Sequence, residues 1–70
     1  MNMKSIAQQV NDFINVGWDK ELDAFGNWEN LTQELHKLDT ATQGESDRPY
    51  ELINALGLRL AYERERALAS

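Results

Sequence analysis

The chain has 70 residues, 41% hydrophobic and 27% charged, with no cysteine and a formal net charge of -5. That composition describes one folded domain and rules out wholesale disorder, while the missing cysteines rule out disulfides and thiolate metal sites. A chain of this size buries only about 60% of the surface that its unfolded form exposes, so its core is marginal and a partner chain is the favoured source of extra stability.

The charge is uneven. Residues 1–51 carry ten acids against Lys4, Lys20, Lys37 and Arg48, whereas residues 52–70 carry three arginines against two glutamates. Phosphate backbones are bound by clustered Lys and Arg, so direct nucleic-acid binding is not expected. The N-terminal "MNMKSIAQQVNDF" lacks the apolar run of a signal peptide. No stretch approaches the roughly 18 apolar residues needed to cross a bilayer. The expectation is a cytoplasmic protein with no membrane partner.

In chain order, Met3, Ile6, Val10, Phe13 and Ile14 recur at helical spacing, with polar residues between them, which predicts an amphipathic helix over 3–16. Gly17 stands where a left-handed C-terminal cap would end it. Residues 18–38 hold two apolar stripes. At about 100° per residue, Trp18, Leu22 and Phe25 form one, and Trp28, Leu31, Leu35 and Leu38 another about 120° away. One straight helix cannot point both at the same core. The sequence therefore predicts a break at Gly26–Asn27, with a short helical or turn segment at 19–25 and a helix over 28–39 capped by Asn27. The competing arrangement is one helix of about 20 residues with Gly26 inside it, costing about 1 kcal/mol relative to alanine.

Residues 40–48 have loop composition, and Ser46 or Asp47 is placed to cap the next helix, with Pro49 in its first turn. That helix, 49–69, has a core stripe of Leu52, Ile53, Leu56, Leu60 and Ala67. Its other faces are apolar too: Tyr50, Gly57, Ala61 and Leu68 form a second row, and Ala55, Leu58 and Tyr62 a third. A helix apolar nearly all round is usually surrounded, and two short helices cannot surround it. The pairs Arg59–Glu63 and Glu63–Arg66 read as solvated ion pairs worth a few tenths of a kcal/mol each. The expected fold is all-α: a single domain, a small three-helix bundle or helical hairpin with a long C-terminal helix, dimerising through it.

Chemistry is sparse. His36 is the only histidine; the residue three before it is Gln33, so the Glu-x-x-His pattern of carboxylate-bridged metal sites fails. Ser5, Ser46 and Ser70 have no nucleophile motif around them, and no Gly-rich loop resembles a phosphate cradle. No catalytic residue, metal site or cofactor is expected. A helix-turn-helix would need a shorter connector, and a recognition helix beginning "RPYELINALGL" is too apolar to read a groove.

Two surfaces remain as candidates. Tyr50, Gly57, Leu58, Ala61, Tyr62 and Leu68 form a partner or dimer interface. Trp18, Asp19, Glu21, Asp23, Trp28 and Glu29 form an acidic and aromatic surface. The expected function is a non-enzymatic regulator, adaptor or inhibitor acting through protein–protein contact, as a homodimer or on another protein. The alternatives are an acidic nucleic-acid mimic, of the kind a mobile element could encode, and a small DNA-binding regulator.

Overall fold

A computed structural model describes residues 4–69, and within them the chain is all-helical: α1 (Ile6–Gly17), α2 (Ala24–Thr42) and α3 (Tyr50–Ala69). The helices form a small bundle in which α3 packs most extensively on α2, less on α1, and α1 and α2 touch each other least.

A capping box opens α1. The Ser5 hydroxyl accepts from the Gln8 backbone N–H at 3.2 Å, and the Gln8 side chain accepts from the Ser5 N–H at 3.1 Å, so both orphan donors are satisfied. This is why the helix begins at Ile6 with Ser5 as its cap; the Met3 of the expected stripe lies outside the described residues. Val10 and Ile14 are buried, with Ile6 and Phe13 beside them. Gly17 is not a left-handed cap. It is the last residue of α1, and Gly44 is the only described residue with positive φ. What Gly17 supplies is room: a Cβ there would collide with the Leu31 side chain of α2.

The predicted break at Gly26–Asn27 does not occur. Helix α2 starts at Ala24, runs through both residues, and is capped by Asp23, whose carboxylate accepts from the Gly26 N–H at 2.6 Å. No break is needed because the first stripe is not a helical stripe: Trp18 and Leu22 precede α2 and only Phe25 lies in it, and all three are exposed, whereas Leu31 is buried with Trp28, Leu35 and Leu38 packed around it. Residues 20–22 form a turn. At its other end α2 continues to Thr42, three residues past the expected stop, with the Thr42 hydroxyl donating to the Leu38 carbonyl at 2.8 Å. Gly44, at φ 82°, then reverses the chain.

In α3 the first intrahelical bond runs from the Ile53 N–H to the Pro49 carbonyl, which puts Pro49 at the cap position; Ser46 and Asp47 are exposed in the preceding turn. Leu56 and Leu60 complete the core with Val10, Ile14 and Leu31. Glu63 departs from the sequence expectation. It is buried, only 8% exposed, and not solvated, because it lies on the core side of α3. Arg59 donates to its carboxylate at 3.0 Å, Arg66 stands 3.8 Å away, and Arg59 also reaches Asn11 of α1 at 3.3 Å.

Candidate functional site

Helical geometry determines what α3 leaves uncovered. Leu56, Leu60 and Glu63 point into the bundle, and at about 100° per residue the opposite side carries Tyr50, Asn54, Gly57, Leu58, Ala61 and Leu68, with Tyr62 at its edge. All of these are exposed. Leu58 is 75% exposed and Tyr50 62%; Tyr62 and Leu68 are each 59% exposed. The six residues predicted as an interface are thus all exposed on α3, with Glu51, Asn54 and Glu65 interspersed among them. Nothing lies within 4 Å of a Cβ built on Gly57. Beside it, between α2 and α3, runs an open groove of about 620 Å³ walled by Leu35, Ile53 and Leu58. The Thr32 hydroxyl in this groove is buried without a hydrogen-bond partner.

Arginines edge this face. Arg48 lies 5.0 Å from the Tyr50 ring and is paired with Asp39 of α2, while Arg66 lies 5.8 Å from the Tyr62 ring. Each tyrosine thus has a guanidinium lying over its ring, the cation–π arrangement.

The acidic and aromatic candidates are placed differently. Trp28 is half-buried against the core, 5.3 Å from the Phe25 ring, with Arg64 of α3 lying 5.4 Å over it. Glu21 and Glu29 are exposed. Asp23 is occupied as the α2 cap, and the Asp19 carboxylate accepts from the Glu21 N–H at 2.9 Å. Two of the four acids thus serve the local backbone, and Trp28 serves the packing between α2 and α3.

Sequence reasoning misplaced Asn27. Its side chain is fully buried and makes three hydrogen bonds to the α1–α2 connector: its carbonyl accepts from the Asp19 N–H at 2.7 Å, and its amide donates to the Asp19 carbonyl at 2.9 Å and the Leu22 carbonyl at 3.3 Å. A buried amide matched to one donor and two acceptors is how irregular backbone is held inside a fold. The only sequence signal was an asparagine on a helix interior, where its propensity is poor.

A second groove, about 720 Å³, lies between α1 and α2 over Phe13, Leu31 and Leu52, with Val16 88% exposed on its lip. Lys4 and Asp12, on its α1 side, are paired with each other.

No group of three or more His, Asp or Glu among the described residues stands together as a metal site, and none of the described helices is long and apolar enough to cross a membrane. His36 is exposed on the wall of the α2–α3 groove, and the neighbouring Asp39 carboxylate is paired with Arg48. Compared with known proteins, the chain matches no family model, no curated protein and no solved structure.

Proposed function

We propose that this chain is a non-enzymatic protein–protein interaction module of the cytoplasm, a small regulator, adaptor or inhibitor, that works as a homodimer through the outer face of α3. The observation that carries this reading is the exposure of Tyr50, Leu58, Tyr62 and Leu68, four large side chains of α3 that lie off its buried Leu56–Leu60–Glu63 stripe. A domain of this size has little stability with which to keep such a surface in water. Covering it with a second chain returns hydrophobic free energy at about 25 cal/mol per Å² of apolar area buried.

The test is association in solution. Light scattering at micromolar concentration is expected to report about twice the 8.0 kDa chain mass, and the melting temperature is expected to rise with protein concentration, because dissociation is then part of unfolding. Leu58→Asp places a charge in the covered face and is expected to yield monomers whose melting no longer depends on concentration. A wild-type particle of one chain mass with concentration-independent melting overturns the homodimer. Raising salt to about 500 mM is expected to leave the association intact, whereas binding through the acidic residues would be screened.

A further inference from the structure

We draw no further inference here: the strongest candidate, the exposed apolar surface of α3 around Gly57 and Leu58 with the open groove beside it toward α2, belongs to the surface already proposed for self-association, and nothing in the structure shows what covers it.

Discussion

Gly17 and Gly57 are both helical, both flanked by apolar residues, and differ in what surrounds them. At Gly17 the end of α1 passes so close to α2 that a Cβ would collide with Leu31, one of the most buried side chains of the core. At Gly57 a Cβ would touch nothing. The first glycine is explained by the fold of a single chain and the second is not. The same division runs through the polar residues. Asn27, fully buried at the α1–α2 junction, satisfies three backbone groups of its own chain, while Asn54 stands exposed on the outer face of α3. One end of the molecule is therefore closed on itself, and the outer side of α3 is open.

The largest expected effect tests the closed region. Asn27→Ala removes the partner of the Asp19 N–H and of two carbonyls and empties a fully buried side-chain position, so it is expected to cost about 3 kcal/mol, read by urea denaturation. A loss under about 1 kcal/mol, the size of an ordinary exposed cap, would mean that the connector is not held by this side chain. Next comes Gly17→Ala, which forces a methyl into Leu31 and is expected to destabilise by about 1–3 kcal/mol through overpacking. If this variant were neutral, α1 and α2 would have room to separate at their point of closest approach.

The smallest effect is expected at Gly57, and it has the opposite sign. Gly57→Ala, measured in the Leu58→Asp background where association is removed, should stabilise the chain by about 0.5–1 kcal/mol because alanine is the better helix former and the site is empty. A destabilised variant there would show a contact within the chain at Gly57 and would erase the contrast with Gly17.

Much of the architecture is legible in the sequence. The spacing of Val10 and Ile14, of Leu31, Leu35 and Leu38, and of Leu56 and Leu60 depends on neighbours three or four positions away, which is the range at which helical periodicity acts. The same local arithmetic identified the surplus apolar rows of α3, and every residue assigned to them as an interface is exposed. It failed in 18–28 because periodicity says which residues share a side of a helix and not where the helix starts: Trp18 and Leu22 precede α2. Treating both aromatic stripes as buried demanded a break that α2 does not have.

The sequence by itself determined three helical segments, a polar connector before the last, and a final helix with more apolar surface than its own chain can cover, since all of these follow from composition and short-range spacing. Tertiary structure alone decided that Trp28 enters the core while Trp18 and Phe25 do not, that Asn27 is a buried clamp and not a cap, that Gly17 marks a close helix crossing, and that Glu63 is buried between arginines. Each of these depends on what a neighbouring segment brings alongside: the Asp19 backbone to Asn27 eight residues away, Leu31 to Gly17, and the bundle around α3 to Glu63. Such meetings are set by how whole helices pack, which no local pattern encodes.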